Sequence, residues 1–210
     1  MHRCFIAGAG EYCGFYTPGT DDYIIAADGG FAALISRGVA PDIVVGDFDS
    51  LGEIPDHPNV AISPEEKDDT DMRIAVDHGL TRGCNAFIID GGLGGRLDHT
   101  LANMQLLTYI AKKNATGVLI GHDICVTAVA NGTIRFSPGA SGGVSVFCAG
   151  DRAEGVTITG LKYALQNGVL TGDYPIGVSN ECIGERAEIS VCNGMLIVTW
   201  ECGLSFLEGL

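Results

Sequence analysis

Cations are scarce in this chain: 12 lysines and arginines stand against 26 aspartates and glutamates, a formal net charge of −14 over 210 residues. A polyanion is bound by replacing its counterions with protein cations, so neither nucleic acid nor an anionic membrane is an expected partner. Long apolar runs are missing as well. No segment approaches the roughly 18 apolar residues of a spanning helix. The run within Met1 to Gly10 is too short for a signal peptide, and a cytoplasmic protein is expected. No Cys-x-x-Cys pair occurs among Cys4, Cys13, Cys84, Cys125, Cys148, Cys182, Cys192 and Cys202. The eight are therefore expected as small buried side chains in a reducing compartment, not as a disulfide framework. No histidine lies near the last three to complete a zinc site. Their ten-residue recurrence suits successive strands of a meander. Without secretion the sequons at Asn114 and Asn131 carry no meaning.

What the chain has is a core. Hydrophobic residues make up 46% and charged residues only 18%, which excludes disorder. Thirty-one glycines with no Gly-X-Y period imply many tight turns. Up to about residue 122, short apolar runs alternate with helical patterns, the rhythm of a parallel sheet with crossover helices. Strands are predicted at 4–7, 23–27, 43–45, 60–62, 86–89 and 118–120. Met72, Ala75, Val76, Gly79 and Leu80 share one helical face, with Asp69 or Thr70 as the cap. Leu101, Met104, Leu107 and Ile110 form the stripe of a second helix over 97–110. From residue 124 the rhythm changes to strand-like runs at 124–130, 144–148, 156–159, 189–192 and 195–200. Asn131-Gly132 and Asn193-Gly194 stand between such runs as hairpin turns. The fold class expected is thus α/β plus all-β. The β-half, about 85 residues, is small for an independent sandwich and is expected to share its sheet or core with a partner subunit.

The acids are unevenly spread: 13 of the 26 lie from Asp42 to Asp98, several directly after predicted strands. Ligands of open parallel sheets bind at the carboxyl ends of strands. Ala27-Asp28-Gly29-Gly30, Gly46-Asp47-Phe48-Asp49, Lys67-Asp68-Asp69-Thr70-Asp71 and the segment from Asp90 to His99 all fall there. Crowded carboxylates repel one another unless a cation neutralises them. Magnesium suits oxygen ligands and bridges one or two carboxylates to substrate phosphates. Asp47 and Asp49 would point to one side if the strand continued through them. The glycines from Gly91 to Gly95 let main-chain amides approach a phosphate, and Arg96 adds a fork that matches its oxygens. Two other patterns compete. Gly8-Ala9-Gly10 with Asp28 imitates a dinucleotide fingerprint, but Cys13 stands where its third glycine belongs, and a loop follows where its helix should run. Asp47-Phe48-Asp49-Ser50-Leu51 imitates the opening motif of haloacid-dehalogenase-type phosphatases, with Asp47 as nucleophile. A third alternative is a non-catalytic protein that binds metal or a small molecule on the acidic rim.

As an ordered set, Ala27-Asp28-Gly29-Gly30, Pro41-Asp42-Ile43-Val44-Val45-Gly46-Asp47-Phe48-Asp49-Ser50, Lys67-Asp68-Asp69-Thr70-Asp71 and Gly94-Gly95-Arg96-Leu97-Asp98-His99-Thr100-Leu101-Ala102-Asn103 resemble the thiamine pyrophosphokinase family. Gly177-Val178-Ser179-Asn180 is similar to part of that family's thiamine-binding region. The resemblance implies a Rossmann-like domain over residues 1–123 that binds ATP and Mg2+, and a thiamine-binding β-sandwich over 124–210. It implies transfer of the pyrophosphoryl group of ATP to thiamine, giving AMP and thiamine diphosphate, in a homodimer whose sites join the two domains of different subunits. By motif match, Asp47, Asp49 and Asp71 would bind magnesium. Asp28, Asp68, Gly94, Gly95, Arg96 and Asp98 would position ATP and metal, and Ser179 and Asn180 would meet thiamine. Asp71, Asp98 and Arg96 are the catalytic candidates, with the base left open between the two acids. His99 is expected to be structural, and Trp200 to pack in the core or against thiamine. Phosphoryl-type transfer needs positioning and charge neutralisation more than a nucleophile, and an acidic cleft attracts cationic thiamine.

Overall fold

In the computed structural model, residues 2–48, 55–62, 69–201 and 203–210 are described. Asp49 and Asp68, expected to hold metal and nucleotide, lie outside the described residues, as does Cys202. The chain divides into two compact units, one of residues 1–106 and 119–122, the other of 107–118 and 123–210. Fourteen strands among the described residues form a ten-stranded mixed sheet and a separate four-stranded antiparallel one.

In the first unit, β1 (Arg3–Ala7), β2 (Tyr23–Ala27), β3 (Ile43–Gly46), β4 (Val60–Ile62) and β5 (Ala86–Asp90) are ordered β5-β1-β2-β3-β4. Every one of these pairings is parallel. The interior strands read as unbroken apolar runs because both faces are covered: Cys4 to Ala7 and all of β5 are buried. Ala7 lies opposite both Ala26 and Asp90, and Ala27 opposite Val45. The register therefore delivers the residues after β1, β2, β3 and β5 to one edge.

Three helices accompany these strands: α1 (Gly30–Ile35), α2 (Asp71–Thr81) and α3 (Leu97–Lys112). In α2 the predicted face is the buried one, at Met72, Ala75, Val76 and Gly79. Its cap is Thr70, whose hydroxyl accepts from the Arg73 N–H at 3.2 Å. The stripe predicted for α3 is partly wrong. Leu101 is 54% exposed, and the buried positions are Asn103, Leu106, Leu107 and Ile110. A three-residue spacing drifts around a helix of 3.6 residues per turn, whereas 103, 106, 107 and 110 keep to one face. The polar member hid the true stripe. The strand β6 (Thr116–Ile120) follows α3.

The second unit carries β7 (Cys125–Ala130), β8 (Thr133–Phe136), β9 (Ser141–Cys148), β10 (Arg152–Thr159), β11 (Leu165–Thr171), β12 (Asn180–Ile183), β13 (Ala187–Ser190) and β14 (Met195–Trp200). Their orders are β12-β9-β14-β7 in the large sheet and β11-β10-β13-β8 in the small one. Neither Asn-Gly turn makes a hairpin. β7 pairs with β14 while β8 pairs with β13, so both turns carry the chain from one sheet to the other. Asn131 takes a φ of 46°. Its N–H donates to the Gly194 carbonyl at 3.1 Å, and its Oδ1 accepts from the Gly194 N–H at 2.9 Å. The two corners thus clasp each other. Cys182 sits on β12 in the large sheet and Cys192 just beyond β13 of the small one, so the meander expected from their spacing is absent. Trp200 has no exposure, meets Phe136 edge to face and donates its indole N–H to the Gly203 carbonyl at 2.8 Å. It is a core residue.

Candidate functional site

At the strand-end edge of the first unit lies a cleft of about 460 Å3. Gly8, Ala9 and Gly10 line it after β1, Asp28 after β2, Thr70, Asp71 and Met72 at the start of α2, and Gly91 to Arg96, His99 and Asn103 around the start of α3, without Leu93. Loops after parallel strands and helix N-termini meet there, and both present main-chain N–H groups to an anion.

Two loops form much of the wall. The Gly8 N–H donates to the Asp90 carbonyl at 2.7 Å and the Gly10 N–H to the Gly91 carbonyl at 2.9 Å. A Cβ on Gly8 or Gly10 would stand 2.7 or 2.5 Å from the Gly91 oxygen, so the approach requires glycine. The Gly8 and Gly10 signal was visible in the sequence but belonged to no complete fingerprint, and its role here is close packing of main chain. Asn103 donates through Nδ2 to the Gly92 carbonyl at 2.8 Å, which fastens the second loop to α3. Gly94 and Gly95 take φ values of 77° and 62°, a turn that side chains resist. Further along the segment after β1, Tyr12, Cys13 and Gly14 are half-buried. Burial, then the nearby Asp90, pushes the Tyr12 phenol up to about 12, and burial pushes the Cys13 thiol up to about 11.

Among the expected site residues, Asp28, Asp71, Gly94, Gly95 and Arg96 line this cleft together. Asp28 is half-buried, at φ 48°, and its N–H donates to the Val45 carbonyl at 2.8 Å. Asp47 follows β3 and is half-buried, but it is not a lining residue. The strand ends at Gly46, and Phe48 turns to φ 60°, so the extended geometry that would align Asp47 with its second neighbour does not continue. Arg96 and Asp98 face each other as a two-pronged pair, Nε to Oδ1 at 3.2 Å and Nη2 to Oδ2 at 2.6 Å. Both are exposed. The shared hydrogen bond raises the Arg96 pKa and holds the Asp98 carboxyl below the usual carboxylate range. Asp98 Oδ1 also accepts the His99 N–H at 3.0 Å. Asp98 does not line the cleft, whereas His99, expected to be structural, does.

Among the described residues no three His, Cys, Asp or Glu side chains converge as a ready-made metal cage. Two carboxylates at the cleft, Asp28 and Asp71, with glycine amides and an arginine beside them, fit a hard cation that completes its shell with water and phosphate oxygens.

The second unit has its own cleft of about 520 Å3, lined by Ile124, Gly142, Gly143, Ser145, Ser179, Asn180, Glu181, Thr199 and Glu201. Ser179, at φ 63°, donates its N–H to the Ser145 hydroxyl at 3.1 Å. Asn180 is almost fully committed. Its Oδ1 accepts from the Tyr163 and Glu181 N–H groups, each at 2.9 Å, and its Nδ2 donates to the Tyr163 carbonyl at 2.7 Å. No helix among the described residues is long and apolar enough to cross a membrane.

Comparison with known proteins meets this geometry from outside. Residues 19–119 match the model of the thiamin pyrophosphokinase catalytic domain, and residues 133–196 match that of the thiamin pyrophosphokinase vitamin B1 binding domain. The thiamine pyrophosphokinase of Bacillus subtilis is 31% identical over 188 residues, which span 85% of this chain and 88% of that protein. The crystal structure of the Bacillus subtilis thiamine pyrophosphokinase superposes with a TM-score of 0.84 at 28% identity, covering 96% of this chain and all of that one. That of the Geobacillus thermodenitrificans thiamin pyrophosphokinase gives 0.82 at 27% identity, covering 97% and 99%. These matches leave the phosphatase and non-catalytic readings without support. With both domain patterns matched in order and a relative of this identity over most of its length, the chain belongs to the thiamin pyrophosphokinase family.

Proposed function

We propose that this chain transfers the pyrophosphoryl group of ATP to thiamine, releasing AMP and thiamine diphosphate. The observation that carries the reading is the cleft in which two glycine loops, Asp28, Asp71 and Arg96 meet at the strand ends of the unit that matches the catalytic-domain model. We read that unit as Rossmann-like and the second as a β-sandwich, with ATP and metal on residues 1–123 and thiamine on 124–210.

The thiamine hydroxyl oxygen forms the new bond to the β-phosphorus, the bond from that phosphorus to the bridging oxygen of AMP breaks, and the hydroxyl proton passes to a carboxylate. Asp71 is the better acceptor, because it lines the cleft and Asp98 does not. The main-chain amides of Gly94 and Gly95 and the fork of Arg96 bind and orient phosphate oxygens, Arg96 leaving Asp98 as it does so. Asp28, Asp71, Asp47 and, outside the described residues, Asp49 and Asp68 are the carboxylates that would hold Mg2+. When bound, the ion neutralises phosphate charge that these acids would otherwise repel. Ser179, which lines the second unit's cleft, is assigned to thiamine. Asn180 is assigned to shaping that cleft through Tyr163.

A homodimer in the cytoplasm completes the reading. Val169, Tyr174, Ile176, Val178 and Ile183 are large apolar residues left exposed on β11, β12 and the segment between them, as an interface would require. Cys4, Cys13, Cys84, Cys148 and Cys192 form no disulfide, in keeping with a reducing compartment.

The test is to incubate the protein with magnesium, ATP and thiamine and to separate the products. Equal amounts of AMP and thiamine diphosphate are expected, reduced about 10³-fold or more in Asp71→Asn. ADP with thiamine monophosphate, or phosphate released without thiamine, would overturn the reading.

A further inference from the structure

Asp90 ends β5 with no solvent exposure, and the chemistry above makes no use of its side chain. Its carboxylate accepts three main-chain hydrogen bonds. Oδ1 takes the N–H groups of Cys13 and Gly91, each at 2.8 Å, and Oδ2 takes the Gly14 N–H at 2.9 Å. The carbonyls of Asp90 and Gly91 hold the N–H groups of Gly8 and Gly10. Residues 8, 10, 13 and 14 are therefore all tied to two consecutive residues at the end of one strand.

A buried carboxylate is costly unless its lone pairs are met by donors. An apolar side chain would fill the same space at less cost, as Ala86, Phe87, Ile88 and Ile89 do along the rest of β5. What the carboxylate gains is a fixed course for the segment 8–14, which forms neither helix nor strand and whose first three residues line the cleft.

We propose that Asp90 is a positioning residue for the nucleotide, holding the segment Gly8–Gly14 as a preset wall of the cleft. The proposal rests on the reading of that cleft as the ATP site. A wall already ordered removes an entropic cost from binding, so its loss falls on affinity for ATP and not on the transfer step.

Asp90→Asn keeps the shape but turns an amide N–H2 toward one of the main-chain donors. The KM for ATP is expected to rise about tenfold while kcat and the KM for thiamine stay within about twofold. Calorimetric titration with magnesium and ATP, without thiamine, should show the same loss. Gly14 takes a φ of 68°, and a Cβ there would meet the Arg37 guanidinium at 3.0 Å. Gly14→Ala disturbs the same anchorage from a residue outside the cleft lining, is expected to give the same ATP-specific loss, and serves should Asp90→Asn not fold. Folded variants of both kinds that bind ATP as the wild type does, or that lose kcat with the ATP KM unchanged, overturn the proposal. Wild-type protein that binds no ATP overturns the reading beneath it, and this proposal with it.

Discussion

Arg96 rests against Asp98 in the open, two prongs to two oxygens, and that geometry separates what the residue does for activity from what it does for stability. An exposed pair contributes little to folding, while a planar fork that grips phosphate oxygens is not replaced by a point charge. Arg96→Lys should therefore lower kcat/KM by about 10- to 100-fold with an unchanged unfolding midpoint, checked by steady-state kinetics beside thermal melts. A fall in both together would mean that the pair is structural. Asp22 shows the opposite balance. Burial pushes its carboxyl up, but hydrogen bonds from Arg3, from the Tyr16 hydroxyl at 2.6 Å and from the Gly19 N–H at 2.8 Å outweigh burial and hold it below the usual range. A carboxyl depressed in the folded state stabilises above its unfolded pKa, and that stability is lost as pH falls through its folded pKa. Urea midpoints between neutral and acid pH should fall more steeply for the wild type than for Asp22→Asn, which starts lower; parallel curves would contradict this. Asp28, Asp71 and Arg96 were legible in the sequence because each stands in a short motif directly after a strand or before a helix. Asp90 was not, because its partners are main-chain N–H groups 76 and 77 residues away and carry no residue type to read.

Strand runs of the first unit could be placed almost to the residue, because a strand covered on both faces is apolar throughout and little else in such a chain is. Elements with mixed character escaped: the short helix α1, the half-exposed β11, and the true stripe of α3 with Asn103 in it. The Asn-Gly corners teach the same lesson. A sharp turn was expected at each, but the same turn serves a hairpin or a change of sheet, and only the partners of the flanking strands decide. Asn131 suits its φ of 46° and also binds Gly194. Asn131→Ala should cost about 1–3 kcal/mol, from the strained conformation and the lost hydrogen bond together, whereas Asn131→Gly relieves the strain and costs less. Urea denaturation with unchanged slope would measure both, and equal losses would show that the side-chain bond alone matters.

For the whole molecule the excess of 14 negative charges sets the terms on which its two substrates approach. Thiamine is a cation and is drawn in; ATP is an anion and is not. Raising salt from about 20 mM to about 300 mM shortens the reach of that field and should raise the KM for thiamine about threefold, with no rise for ATP. A salt response of the same sign and size for both substrates would show that the field of the protein plays no part. The charge is read from composition alone; the expectation of an α/β part and a β part rested instead on the change of punctuation near residue 124.

The second unit has a further property that belongs to time. β14 lies between β7 and β9, yet the ribosome makes it after every other described strand of the unit. Until Met195–Trp200 emerges, β7 and β9 have no neighbour to join them, and the Asn131 corner waits for Gly194 across 63 residues. The part of the large sheet that joins β7 to β9 is thus completed only when translation is nearly past this half of the protein, while β1 to β5 can assemble long before.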